Sequence, residues 1–281
     1  MHRVPACRAQ QGVAFRGVVS VPDAASLPAD PAELAGWEVV TGTRGLAAQR
    51  NAGLDALRTL PGTQEHPVGT VAFFDDDAVP RPDYLARALG FLAAHPDVVG
   101  LTGRVLADGK ITGEIPRDET DAVLARSSSE EATGRWRTTR ELYGANFVVR
   151  TAAAPDLRFD ARLPLYSWLE DHDFARRLMR RGPLAHVHDC VVVHRAAASG
   201  GRASHRRLGY SQVMNAVYLR RKGSFPLWLT AQQVLRPVLK NIVLAPAGPA
   251  APWRRERLRG NTSAVRDVLR GRITPERIVE L

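Results

Sequence analysis

Asp75-Asp76-Asp77 follows directly on the apolar run Val71-Ala72-Phe73-Phe74, and far along the chain Glu170-Asp171-His172-Asp173 opens an amphipathic stretch. Three adjacent carboxylates at the end of a strand repel one another unless a cation or solvent neutralises them, so the first cluster reads as a hard-metal site. The second places carboxylates in the first turn of a helix, where one of them can serve as a general base. Together they describe an enzyme that grips a diphosphate through a divalent ion and deprotonates a hydroxyl nucleophile. The structural alternatives are a solvated acidic turn and an ordinary helix N-terminus, which favours acidic side chains in any case. His186, His188 and His194 form a further cluster, but no nearby cysteine completes a tetrahedral set, which argues against zinc.

These residues must be delivered by elements, and the chain alternates strand and helix. Gly17-Val18-Val19-Ser20-Val21 and Trp37-Glu38-Val39-Val40 are short buried-strand patterns. Leu46, Arg50, Leu54 and Leu57 follow helical spacing as far as Pro61, and residues 68–74 form the strand that ends on the aspartates. Leu85, Ala88, Leu89 and Leu92 make one apolar helical face, and strands follow at Val98-Val99-Gly100-Leu101 and Cys190-Val191-Val192-Val193. Residues 107–141, rich in Gly, Ser, Thr and charge, read as a long loop over the site that closes on substrate. Repeated units of this length predict an α/β fold, a mostly parallel Rossmann-like sheet flanked by helices, with the ligand at the carboxyl ends of the strands.

Four segments in order carry a resemblance: Gly45-Leu46-Ala47-Ala48-Gln49-Arg50-Asn51-Ala52-Gly53, Phe73-Phe74-Asp75-Asp76-Asp77-Ala78-Val79-Pro80, Gly144-Ala145-Asn146-Phe147 and Trp168-Leu169-Glu170-Asp171-His172-Asp173-Phe174. The series resembles the motifs of family 2 glycosyltransferases, inverting enzymes of the GT-A fold, over roughly residues 5–225. The resemblance implies a nucleotide-sugar donor, a glycan or lipid-linked acceptor, and Mg2+ or Mn2+ on the donor diphosphate. Asp75 and Asp77 match the ends of the DxD motif, Asp77 as the direct metal ligand and Asp75 nearer the ribose or base, with Asp76 between them. Asp171 matches the catalytic base, with Glu170 beside it. Arg50 and Asn51 match positions bordering the nucleotide pocket, against the alternative of an exposed helix face. Asn146 matches the segment lining the sugar cleft, where its amide would bond a sugar hydroxyl. Trp168 would supply a platform for an acceptor sugar or belong to the core. His194 falls where related enzymes place a histidine near the diphosphate or metal, and Arg202 would help neutralise the leaving diphosphate.

In one respect the chain departs from that pattern. Nothing ahead of Ala6-Cys7-Arg8-Ala9 corresponds to the apolar strand and nucleotide-contacting loop with which family members begin. The expectation is a missing first strand and the loss of one wall of the base pocket; an upstream start, a shortened inactive relic and completion by another chain are the readings that follow.

Charge separates the chain into two regions. Residues 202–281 hold 16 Lys and Arg against 4 Asp and Glu, a net of +12, whereas the residues before them sum to −2. The expected division is a glycosyltransferase domain over 1–223 and a helical basic extension over 224–281. In the extension Leu227, Val234, Leu235, Val238, Leu239, Ile242 and Val243 cluster on one side of a helix that Pro237 should kink or split. The extension lacks the aromatic interleaving of a nucleic-acid platform, so no nucleic acid is expected; an anionic membrane surface or a homodimer contact fits it instead. Two cysteines, Cys7 and Cys190, fit a reducing compartment, and no signal-like h-region or spanning run occurs. The expected location is cytoplasmic, peripheral to the inner face of the cell membrane. A metal-dependent nucleotidyltransferase or phosphohydrolase is the competing enzyme class.

Overall fold

A computed structural model of the chain describes residues 10–61, 68–128, 132–196 and 204–281. These form two compact units that interleave along the sequence: residues 10–43, 50–158 and 174–196 make the first, and residues 44–49, 159–173 and 204–281 the second. The expected division after residue 223 does not coincide with them, because the helix preceding that point groups with the basic tail.

In the first unit β1 (Gly17–Ser20) and β2 (Trp37–Val40) pair in parallel, Gly17 opposite Trp37 and Ser20 opposite Val40, as a two-stranded sheet of their own. Then come α1 (Leu46–Thr59), β3 (Thr70–Phe74), β4 (Ala78–Pro80), α2 (Tyr84–Ala94), β5 (Gly100–Asp108), α3 (Gly109–Thr112), α4 (Arg117–Ser128), β6 (Trp136–Thr139), β7 (Asn146–Arg150), α5 (Glu170–Leu178) and β8 (Leu184–His194), the first turns of α1 and α5 being counted with the second unit. The main sheet has the order β3-β7-β5-β8-β4, with β6 also paired to β8. β5 and β8 are parallel, and β7 lies antiparallel between β3 and β5, so β3, β5 and β8 all run one way in a mixed sheet.

The apolar run at 190–193 is continuous because both faces of β8 are covered. Cys190 and Val192 pack with Leu101, Ala145 and the inner face of α2, namely Tyr84, Ala88 and Leu92. Val191 and Val193 pack with Ile115 and with Leu124 of α4. Leu89, expected on the inner face of α2, is exposed. The expected loop over 107–141 is corrected more substantially: β5 runs on to Asp108, α3 and α4 follow, and β6 pairs with β8. Its polar composition reflects an exposed helix, since α4 presents little beyond Leu124 and its neighbours to the core.

The second unit is built on α6 (His205–Lys222), α7 (Leu227–Leu244) and α8 (Ala251–Leu269). α6 begins at Ser204, whose Oγ accepts from the Arg207 N–H, and ends at Gly223 in the left-handed region. α6 and α8 meet at two glycines: a Cβ at Gly260 would lie 2.0 Å from the Arg206 carbonyl oxygen, and one at Gly209 would lie 2.1 Å from that of Arg257. Only a hydrogen permits that approach. Pro237 neither splits α7 nor ends it. Val234 and Val238, on either side of it, pack against the unit's apolar clusters and hold the helix through the position where the proline removes a backbone donor. No helix among the described residues is long and apolar enough to cross a membrane.

Candidate metal centre

Strand register assembles the centre. β8 ends on His194, which pairs on one side with Ala78 of β4 and on the other with Asp108 of β5. Asp77 immediately precedes β4, so two acidic residues distant in sequence flank one buried imidazole. His194 Nε2 lies 3.3 Å from Asp77 Oδ1, and Nδ1 lies 2.7 Å from Asp108 Oδ1. The Tyr143 hydroxyl donates to Asp108 Oδ2 at 2.8 Å. Asp75 is fixed from the other side, where an Arg50 guanidinium nitrogen reaches its Oδ1 at 2.8 Å and the Gly144 carbonyl at 2.7 Å. That guanidinium also lies 5.5 Å from the centre of the Phe147 ring, itself stacked on Phe73 at the end of β3. Arg50 is therefore buried and paired, not part of an exposed helix face.

Asp75, Asp77 and His194 each offer a ligand atom within 4.8 Å of the others. Two carboxylates and one imidazole are a donor set that would suit Mn2+ or Mg2+ better than a metal that prefers a tetrahedral thiolate site. The titration of these groups follows from their neighbours. Removal from water raises the Asp75 carboxyl above its ordinary range; Arg50 pulls it back, and the charge of Asp77 pushes it further up. Removal from water opposes ionisation of Asp77 and Asp108 too, but hydrogen bonds from His194 outweigh it and hold both carboxyls low. Burial works against a charged His194, and the bonds to Asp77 and Asp108 overcome it, so its imidazole is raised. Nδ1 of His194 faces Asp108 and Nε2 faces Asp77, so the nitrogen on the cation side is the one that Asp108 does not engage.

The other expected residues fall as follows. Asp76 is exposed beside the centre, and Asn51 is half-buried on α1. Asn146, expected to line the sugar cleft, is fully buried: its Oδ1 accepts from the Tyr84 hydroxyl at 3.0 Å and from the Gly103 N–H at 2.7 Å, and it braces β5 against β7. Arg202 lies outside the described residues. Asp108, Tyr143 and Lys110 were not anticipated. Asp108-Gly109 reads as a turn signal, and only the β5–β8 pairing reveals its partner. Lys110, with its ammonium 4.7 Å from the centre of the Tyr143 ring, lends positive charge felt by Asp75, Asp77 and His194.

Trp168, Glu170 and Asp171 belong to the second unit. Trp168 lies within, and Glu170 and Asp171 directly follow, a segment in which Leu165, Ser167 and Leu169 take φ of 57°, 51° and 74°. Non-glycine residues hold that region only where their surroundings over-determine it, at a cost of roughly 1–3 kcal/mol each. Here the Leu46 N–H donates to the Leu165 carbonyl at 2.9 Å, the Ala47 N–H donates to Ser167 Oγ at 3.1 Å, and Asn215 Nδ2 donates to the Trp168 carbonyl at 2.9 Å. Trp168 packs against the apolar cluster of this unit and is half-buried. Glu170 is buried, and Asp171 is half-buried with Oδ1 accepting from the His172 N–H at 2.8 Å. Asp173 is wholly buried and structural, bonded to Ser224 and, at 2.8 Å, to Lys222 Nζ.

No protein-family model and no curated protein matches the chain. Among solved structures, the mannosyltransferase PcManGT from Pyrobaculum calidifontis, in complex with GDP-Man and Mn2+, is similar over 92% of this chain and 81% of its own, at 18% identity and a TM-score of 0.50. Glucosyl-3-phosphoglycerate synthase from Mycobacterium tuberculosis, in complex with Mn2+, UDP and glucosyl-3-phosphoglycerate, is similar over 79% of this chain and 75% of its own, at 16% identity and a TM-score of 0.46. The chain has the GT-A type of α/β fold, the fold of the mannosyltransferase.

Proposed function

We propose that the chain is an inverting glycosyltransferase of the family 2 type, moving a hexose from a nucleotide-diphosphate-sugar to a hydroxyl of a glycan or lipid-linked acceptor. The observation that carries this is the meeting of Asp75, Asp77 and His194 at the strand ends of a GT-A fold. These three residues would hold Mg2+ or Mn2+, which when bound neutralises charge on the diphosphate. Arg50 keeps Asp75 in place, and Asp108 with Tyr143 keeps Nε2 of His194 aimed at the cation position. Lys110 adds positive charge where the leaving diphosphate gathers negative charge. Asp171 takes the proton of the acceptor hydroxyl as its oxygen attacks the anomeric carbon. The new C–O bond forms on the face opposite the breaking bond to the diphosphate, which departs with the electron pair, so configuration inverts. An over-determined backbone just ahead of Asp171 supports a positioned base there.

The test is a panel of nucleoside-diphosphate sugars with sugar and lipid-linked acceptors, with Mn2+ or with chelator, followed by NMR of the anomeric centre. Metal-dependent transfer with inverted configuration is expected. Asp171→Asn should keep donor affinity while lowering kcat at least about 100-fold. Unchanged kcat in that variant refutes the base assignment, and release of sugar 1-phosphate, with the nucleoside monophosphate passed to the acceptor or to water and no sugar transferred, would instead make the chain a nucleotidyltransferase or phosphohydrolase.

A further inference from the structure

α7 carries apolar residues on two sides: Leu229, Val234 and Val238 pack inward, and a second set faces out. Its buried positions include Thr230 and Asn241, and Asn241 sits in a polar network: its Nδ2 donates to Gln212 Oε1 at 3.1 Å and to Asn261 Oδ1 at 3.0 Å, and its Oδ1 accepts from Arg254 at 2.7 Å. This network ties α7 to α6 and α8 by hydrogen bonds that have one geometry. On the opposite side Trp228, Leu235, Leu239, Ile242 and Val243 are each more than half exposed. At 100° per residue these five fall within a stripe about 100° wide. Arg236 and Lys240 run along one margin of the stripe, both exposed, and α7 contains no Asp or Glu. Packing within the unit is already served by Leu229, Val234 and Val238, so the outward stripe is apolar surface that the unit's own core does not use.

We propose that this face of α7 lies on an anionic lipid surface, with the apolar stripe in the headgroup–acyl boundary and Arg236 and Lys240 against lipid phosphates. The composition is that of an interfacial helix: a tryptophan and branched aliphatics on one face, basic residues at its margin, and interrupting charge that rules out spanning. Charge selects lipid over a second copy of the chain. A two-fold contact through the stripe would bring two basic margins together with no acidic residue of α7 to pair them. The chain around α7 agrees, for residues 202–281 carry a net +12.

The full chain is tested by flotation with vesicles of phosphatidylcholine containing about 30% phosphatidylglycerol, against vesicles of phosphatidylcholine alone. Binding to the anionic vesicles is expected, weakened by salt. Arg236→Gln and Lys240→Gln should each weaken it about five-fold, and Leu235→Gln or Leu239→Gln about ten-fold, with melting temperatures unchanged because all four side chains are exposed. The proposal is overturned if the folded chain ignores anionic vesicles or binds neutral ones equally. It is also overturned if light scattering finds a lipid-free dimer that Leu239→Gln dissolves, which would give the face to a second copy.

Discussion

Asp108 is the residue on which the metal centre most depends without touching the cation position. Its Oδ1 receives His194 Nδ1–H at 2.7 Å and its Oδ2 receives the Tyr143 hydroxyl at 2.8 Å. Those two bonds fix both the tautomer and the ring plane of His194. Asp108→Asn keeps the volume but replaces one carboxylate oxygen by an amide donor, which faces either Nδ1–H or the Tyr143 hydroxyl; Asp108→Ala removes both acceptors. Losing the partner that orients a metal-bound histidine costs roughly 10–100-fold in metal affinity, about 1.4–2.7 kcal/mol. That range matches the roughly 1.5–3 kcal/mol of one hydrogen bond to a charged group. The assay is Mn2+ binding followed by electron paramagnetic resonance in the presence of a nucleoside diphosphate, with melting curves to show that the variant is folded. His194→Ala, which removes the ligand itself, sets the upper limit of the loss. If Asp108→Ala binds Mn2+ within about two-fold of the parent while His194→Ala does not, the orienting argument is wrong.

Three other consequences follow from the packing. Gly260→Ala forces α8 away from the Arg206 carbonyl, and should cost about 1–3 kcal/mol, seen as a fall in Tm of about 2–4 °C per kcal/mol; an unchanged Tm would mean that the helices do not touch there. Burial pushes the Cys190 thiol up to about 12, so in a Cys7→Ser variant the remaining thiol should resist disulfide-exchange reagents at pH 8 until the protein is unfolded; rapid labelling of the native protein would contradict the burial. Asp160 loses ease of ionisation to desolvation but regains more from its bonds to Lys222 and Tyr218, and lies below the ordinary 3.8. Its contribution is therefore present above pH 3.8 and lost as pH falls through the lower folded value. Asp160→Asn should lower stability at neutral pH and flatten the acid limb of a urea-denaturation series; an unaltered limb would show that other carboxylates govern acid unfolding.

The amino-acid sequence by itself determined the local elements and the chemistry available. An apolar strand ending on Asp75-Asp76-Asp77, a helix opening on Glu170-Asp171 and a histidine closing the run at 190–193 are legible because strand and helix periods and helix-terminal preferences act over a few residues. Tertiary structure decided which of these residues meet. Asp108 joins His194 across 86 positions only because β5 pairs in parallel with β8, in a register interrupted by two irregularities, and no local pattern encodes that register. That the Oδ1 of Asn146 accepts from Tyr84 and Gly103 and braces two strands depends on the β5–β7 pairing and is not visible in its neighbours in sequence. The long polar stretch at 107–141 looked like a loop because an exposed helix and an edge strand need few apolar residues. In α7 the apolar residues were legible, but their sides were not: Val234 and Val238 pack inward beside the network around Asn241, whereas Leu235, Leu239, Ile242 and Val243 stay exposed, a division set by contacts with α6 and α8 that no local pattern encodes.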